Sequence, residues 1–165
     1  LSSAGVRSQR AAPSSEYPVP PMDRLILHLE SGEAAALELT HEQLFDAPAA
    51  DQVPDIGALI PGRRGRGVRF AWVASLASPG DELVFVTLES TDGRFSATLT
   101  REEMAEAVIV HADGDRPFGA DDGGPFRLYI PGATDRCGNV KHLGRVGFCS
   151  RPGADTRPPE EERTC

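Results

Sequence analysis

The sequence predicts an α+β fold that is rich in β structure, built on mixed or antiparallel sheets with short helices. Three observations carry this. The chain has many short β-rich runs separated by turn residues. Its helical signals are brief, each opened by a capping pattern. Gly and Pro supply 17 and 14 of the 165 residues, which leaves little room for long helices. The predicted order is strand, short helix, strands, short helix, strands, not the alternation of a βαβ fold.

Arg24 to Glu30 (RLILHLE) reads as a strand, followed by the turn Ser31-Gly32 and an apolar stretch to Leu39. Thr40 with Gln43 three residues on is a capping box, so a short helix runs from His41 to Asp46 and ends before Pro48. Gln52 to Ile60 is irregular, punctuated by Pro54 and Pro61. A basic glycine loop follows, Gly62-Arg63-Arg64-Gly65-Arg66-Gly67. Val68 to Phe70 is strand-like, and Ala71 to Ala77 is a helix closed by Pro79-Gly80.

Glu82 to Glu89 is β-rich, Asp92-Gly93 is a strong turn signal, and Phe95, Ala97 and Leu99 alternate with polar residues. This predicts a central hairpin over Val84 to Leu99. Val84, Val86 and Leu88 should share one face with Phe95, Ala97 and Leu99. Thr100 with Glu103 is a second capping box and predicts a helix to Ala107. Val108 to Val110 continues as a strand to the turn Asp113-Gly114. Asp121 to Pro125 is a loop, and Phe126 to Ile130 is a strand stopped by Pro131-Gly132. A loop from Thr134 to Asn139 leads into a last strand, Val140 to Cys149.

Composition divides the chain into three. Residues 1–21, rich in Ser, Ala and Pro and lying before the first methionine, Met22, are expected to form a disordered leader. Residues 22–150 form the folded domain. Residues 151–165, with Pro152, Pro158, Pro159 and the run Glu160-Glu161-Glu162, are expected to form a disordered, solvated tail. The leader holds no apolar stretch of the kind a secretory signal needs, and the expected compartment is the cytoplasm. No apolar run is long enough to span a membrane. The formal net charge of −8 argues against non-specific binding of nucleic acid. Of 17 basic residues only Lys141 is lysine, and Arg63, Arg64, Arg66 and Arg69 make a dense basic patch in an acidic protein. Glycines and guanidinium groups together suit a phosphate or pyrophosphate. The same patch could equally be an exposed loop kept soluble by arginine.

At residues 123–148 the sequence resembles a known family. Gly123-Gly124-Pro125-Phe126-Arg127-Leu128-Tyr129-Ile130-Pro131-Gly132, followed by Asn139-Val140-Lys141-His142-Leu143-Gly144-Arg145-Val146, is similar to the closing signature of the sulfite-oxidase-like molybdopterin-binding domain. Gly67-Val68-Arg69-Phe70, the Val84–Leu99 hairpin, Ala105 to Val110 and Asp115-Arg116-Pro117-Phe118 fall in that family's order. The resemblance implies a β-rich α+β domain around a pterin cofactor that carries molybdenum, with Lys141 by the pterin phosphate and Asn139 in the small polar place of the signature. Arg63, Arg64 and Arg66 complete the expected anion site. The ligand is then molybdopterin or another phosphorylated small molecule, with a redox protein as a further expected partner.

One departure bears on chemistry. The family's enzymes hold the metal through a cysteine placed shortly before the segment matching Gly67-Val68, and molybdenum needs that soft ligand. Between Gln52 and Gly67 there is no cysteine. The expectation is therefore a molybdopterin-binding domain with weak or no catalysis and no metal ligands. The alternative is a non-catalytic binding or scaffold domain that kept the fold. Of the three cysteines, Cys137 in the closing loop is the one candidate for a substitute ligand. Cys149 reads as a small buried hydrophobe, with a pairing to Cys165 left open. His28, His41 and His111 are scattered, with no pair at a helical ligand spacing, and no nucleophile–base pair is legible.

Overall fold

The structure, a computed structural model, describes residues 24–30, 37–132, 139–153 and 155–157. The expected leader, most of the loop before Asn139 including Cys137, and residues 158–165 lie outside the described residues. Ten strands and two helices follow in order: β1 (Arg24–Leu29), β2 (Leu37–Thr40), α1 (His41–Phe45), β3 (Gln52–Val53), β4 (Arg66–Arg69), α2 (Phe70–Ala77), β5 (Phe85–Ser90), β6 (Ser96–Thr100), β7 (Val108–Asp113), β8 (Arg116–Pro117), β9 (Arg127–Tyr129) and β10 (Leu143–Cys149). Short 3-10 turns at Ala49–Asp51, Ile56–Ala58 and Ala120–Asp122 fill the connections. This is the α+β, β-rich class the sequence predicts.

The strands make two sheets. The first has the order β2-β1-β10-β5-β6, and the second β3-β4-β7-β8, with β9 also pairing β7. β1 and β10 are parallel (Leu27 opposite Val146) and every other pair is antiparallel, so the first sheet is mixed. Alternation decides which side is wet. Leu25, Leu27, Val86, Leu88, Ala97, Leu99, Val146 and Phe148 are buried in the main core, while His28, Thr87, Glu89, Arg145 and Cys149 line the opposite face. Val68, Ile109 and Leu128 of the second sheet join that core. The other face of the second sheet carries Val108, Val110 and Tyr129, which pack with Val53 and Ile56 as a smaller cluster. β7 is thus buried on both faces.

The hairpin forms with Val86 opposite Leu99 and Leu88 opposite Ala97. Asp92 Oδ1 accepts from Ser90 Oγ (2.7 Å) and from the Arg94 amide (2.9 Å), and Gly93 takes φ 74°, which fixes the turn. Two details differ from expectation. Val84 precedes the strand and is 45% exposed, so it does not share the buried face. The hairpin also lies to one side of its sheet, whose central strand is β10.

The first capping box forms: Gln43 N donates to Thr40 Oγ1 (3.2 Å) and Thr40 N to Gln43 Oε1 (2.8 Å). The second forms the same bonds, Glu103 N to Thr100 Oγ1 (3.0 Å) and Thr100 N to Glu103 Oε1 (2.8 Å), yet no helix follows. The chain makes only turns there, because Met104 and Ala107 are buried and the Ala107 carbonyl accepts from Phe70 N at the start of α2. Propensity yields to packing over so short a segment.

Part of the segment after β10 engages the first sheet. Among its described residues, Thr156 N donates to Ser96 O (2.8 Å), Ser96 N to Thr156 Oγ1 (3.1 Å), Thr98 N to Asp155 Oδ2 (3.1 Å) and Arg157 to Thr98 O (3.1 Å). Residues 155–157 therefore satisfy the outward backbone groups of the edge strand β6, where composition alone suggests a free tail.

Candidate functional site

The basic loop ends in two glycines that the fold requires. Gly65 has φ 128°, and a Cβ there would lie 2.6 Å from Val110 Cγ1. Gly67 faces β7 so closely that a Cβ would meet the Ile109 carbonyl oxygen at 2.2 Å. The loop is tied down by Ile56 N to Gly65 O (2.8 Å) and Arg63 N to Ile60 O (3.1 Å). So held, Arg63 and Arg64 line a cavity of about 420 Å³ whose other walls include Arg127, Tyr129, Lys141 and His142. Three separate stretches of chain bring four cations to one place.

Three carboxylates, Asp113, Asp121 and Asp122, line the same cavity. Arg64 pairs with Asp113 at 2.6 Å, and Arg116 reaches Asp122 at 3.2 Å. The Arg64 side chain is 83% exposed, so its pair contributes little to stability. The Gly119 amide, and then Arg116, hold the Asp122 carboxyl below the usual carboxylate range. The Arg63 and Arg127 guanidinium groups lie 5.5 and 5.0 Å from the centre of the Tyr129 ring. Arg127 Nε is buried with no hydrogen-bond partner. Among the described residues Lys141 has no ion-pair partner, and its side chain is exposed.

His142 is held in an unusual backbone conformation, φ 55°. Its N–H donates to Gly123 O (2.7 Å), its carbonyl accepts from Thr91 N (2.7 Å), and its Nδ1 lies 2.8 Å from Gly124 O. A carbonyl only accepts, so Nδ1 carries a proton and donates this bond.

Of the five residues the sequence nominates, Arg63, Arg64 and Lys141 meet in this cavity. Arg66 does not. It begins β4, where its guanidinium lies 4.8 Å from the centre of the Phe45 ring and bonds Gln52 Oε1 (3.3 Å). Asn139 uses Oδ1 to accept from Ile130 N (3.3 Å) and lines a neighbouring cavity of about 340 Å³. Sequence reasoning missed Arg127, Tyr129 and His142 as members of the site. All three lie in the closing stretch quoted for its resemblance.

It also missed a long-range histidine pair. His41 Nδ1 and His111 Nδ1 are 3.4 Å apart, and His41 stacks on Phe126. His111 is fully buried and its Nε2 has no partner. Burial first, then the charges of His41 and Arg66, push its pKa down to about 3.

Among the described residues the donor set does not fit a molybdenum ion. The described stretch from Gln52 to Gly67 offers no sulfur. Cys149 is a free, half-buried thiol on the outer face of the first sheet, where burial pushes its pKa up. Cys137 and Cys165 lie outside the described residues. Among the described residues no group of three or more His, Cys, Asp or Glu side chains is arranged to hold a metal. No helix among them is long and apolar enough to cross a membrane.

No family model matches the sequence, and no curated protein matches it. Among solved structures, the chain is similar to the crystal structure of the sulfane dehydrogenase SoxCD from Paracoccus pantotrophus, with a TM-score of 0.57 and 17% identity. The match covers 78% of this chain and 38% of that one. At that identity the likeness shows the fold alone, and this chain spans well under half the length of the dehydrogenase chain.

Proposed function

We propose that this domain binds a phosphate-bearing small ligand of the molybdopterin class and is not itself a molybdenum oxidoreductase. One observation carries the reading: Arg63, Arg64, Arg127 and Lys141, from three stretches of chain, converge on a single cavity. Guanidinium and ammonium groups are the donors phosphate prefers. Four cations against three carboxylates leave the cavity net positive in a chain of net charge −8. Lys141 brings the one charge of that set engaged by neither a carboxylate nor an aromatic ring among the described residues, so it is the natural phosphate contact. The fold likeness to a dehydrogenase and the resemblance of residues 123–148 to the molybdopterin domains support the pterin class. The missing sulfur argues against the metal.

The test uses protein made in a host that assembles molybdenum cofactor. Pterin is read by fluorescence of the oxidised, denatured extract and molybdenum by mass spectrometry. The expected result is pterin without stoichiometric molybdenum, and no turnover of sulfite with an artificial electron acceptor. Lys141→Ala should weaken pyrophosphate binding, measured by calorimetry, by about 10- to 100-fold, the worth of one charged hydrogen bond. Stoichiometric metal with turnover overturns the non-catalytic half. Absence of both pterin and pyrophosphate binding overturns the ligand half.

The pairs Arg64–Asp113 and Arg116–Asp122 favour one other reading, a scaffold domain in which these ions clasp the loop to the second sheet. In that case no phosphate compound binds, and Lys141→Ala leaves both calorimetry and stability unchanged.

A further inference from the structure

Where α1 meets β7, the fold leaves a polar side chain poorly satisfied. The ladder between β4 and β7 slips there. Arg66 stands opposite Ala112 and Gly67 opposite Val110, so His111 is an extra residue between the two pairs. A bulge of this kind re-aims a side chain. The His111 side chain is fully buried, and among the described residues its Nε2 has no hydrogen-bond partner. Its Nδ1 faces His41 Nδ1 at 3.4 Å, beyond the range of about 2.7–3.2 Å that a well-formed N–H hydrogen bond keeps. A buried group so weakly engaged needs a cause, and a bound ion is one such cause.

The surroundings narrow the kind of ion. Phe126 stacks on His41 with ring centres 4.6 Å apart, and Phe45 meets His111 edge-on at 4.7 Å, so the pair sits between aromatic walls. His41 is only half-buried, which leaves a way in from solvent. Two imidazole nitrogens about 2.0–2.1 Å from a first-row metal ion and 3.4 Å from each other subtend about 110–115° at it, the angle of a trigonal or tetrahedral site. Both Nδ1 atoms can face the ion together when each neutral ring keeps its proton on Nε2. Calcium and magnesium want oxygen ligands, which this pair does not supply. The Arg66 guanidinium lies on the Phe45 ring, 4.8 Å from its centre, and the cost of burying charge rises with the square of that charge. A singly charged ion is therefore favoured over a doubly charged one. Of the metals that imidazole suits, copper has a stable singly charged state, and it needs fewer ligands than the four that zinc prefers.

We infer that His41 and His111 form a binding site for a cuprous ion, held between their two Nδ1 atoms and reached past the half-buried ring of His41. The site shares no residue with the cationic cavity, so it stands or falls apart from the phosphate reading.

The experiment titrates the chelator-treated full chain with cuprous ion, without oxygen, in competition with a chromogenic chelator. X-ray absorption then identifies the donor atoms. Cysteine competes for such an ion, so the titration is repeated with Cys137→Ser, Cys149→Ser and Cys165→Ser combined. That variant should still bind one equivalent, through nitrogen donors alone. Adding His41→Gln, a change at a half-buried position, should weaken binding at least tenfold, and His111→Gln should do the same. Binding that disappears with the cysteines, or that His41→Gln leaves unchanged, overturns the inference. So does a site that holds zinc ion more tightly than cuprous ion, because the charge argument then fails. The cysteine-free chain and His41→Gln decide the matter even if His111→Gln does not fold.

Discussion

Replacing Gly67 by alanine should damage this protein more than any ordinary surface substitution. Gly67 lies in β4 opposite Val110, directly after the register shift that follows Arg66. An added Cβ would sit 2.2 Å from Ile109 O, 2.8 Å from Ile109 C and 2.9 Å from Val110 Cα. These atoms are all backbone, so no side chain can swing away. Ordinary contact begins near 3.4 Å, so the strands must part by about 1.2 Å. A ladder bond of about 2.9 Å then stretches to roughly 4 Å and is lost. Two such bonds at about 1 kcal/mol each, with about 1–3 kcal/mol of overpacking strain, give about 3–5 kcal/mol. That is a large part of the 5–15 kcal/mol typical of a domain. The assay is urea unfolding followed by circular dichroism, with Gly93→Ala as the control. Gly93 has φ 74° and nothing within 4 Å of its added Cβ, so it should lose only the roughly 1–2 kcal/mol of a left-handed residue. A Gly67→Ala loss below about 1 kcal/mol, or no larger than the control's, would refute the close-approach argument. Because β4 continues directly from the Arg63–Gly65 loop, the variant should also bind pyrophosphate more weakly.

Two further outcomes are expected. His111 takes up a proton only near about 3 in the fold against 6.5 ordinarily, so between those values the unfolded chain holds the extra proton. Stability is therefore full above pH 6.5 and declines as pH falls towards 3, by about 2 kcal/mol between pH 7 and 5 at about 1.4 kcal/mol per unit. Burial lowers His28 in the same sense, while Glu30, Asp92, Asp122 and Asp155, also held low, add their losses only below about 4.5. His111→Gln should flatten the profile between pH 7 and 5, and an unchanged slope would show that the buried histidine is not its source. Ending the chain after Arg151 removes the partners of Ser96 and Thr98 on β6. A loss of about 1–2 kcal/mol is expected, with concentration-dependent self-association through the bared edge; a truncated chain that melts unchanged and stays monomeric in light scattering would contradict it.

Local signals were the legible part of the fold. Asp92-Gly93 and the Thr40–Gln43 box act within five residues, and both fold as their chemistry directs. Thr100–Glu103 shows the limit, since its bonds form while burial of Met104 and Ala107 decides the path of the chain. Arg63, Arg64 and Arg66 look alike in sequence, but a strand begins at Arg66 and turns its side chain towards Phe45. The partners that complete the cavity come from β9 and from the residues before β10, and the pairing of His41 with His111 spans 70 positions. No local pattern encodes distances of that kind. Lys141 stood out only because it is the sole lysine and falls in a stretch that resembles a known signature.

The place of β10 sets a timetable for the molecule. Among the described residues it is the last strand in chain order, and it is the middle of its sheet, with β1 on one side and β5 on the other. During synthesis from the N-terminal end, the residues of β1–β2 and of β5–β6 are made before the strand that joins them. Two-stranded pairs are marginal alone in water, so neither has its neighbour in the sheet until Leu143–Cys149 has been made. Joining Ile26 to Arg145 closes almost the whole domain in one step, the non-local kind of contact that slows folding. The first sheet of this protein is assembled from its flanks inwards, and the nascent chain must wait for its keystone.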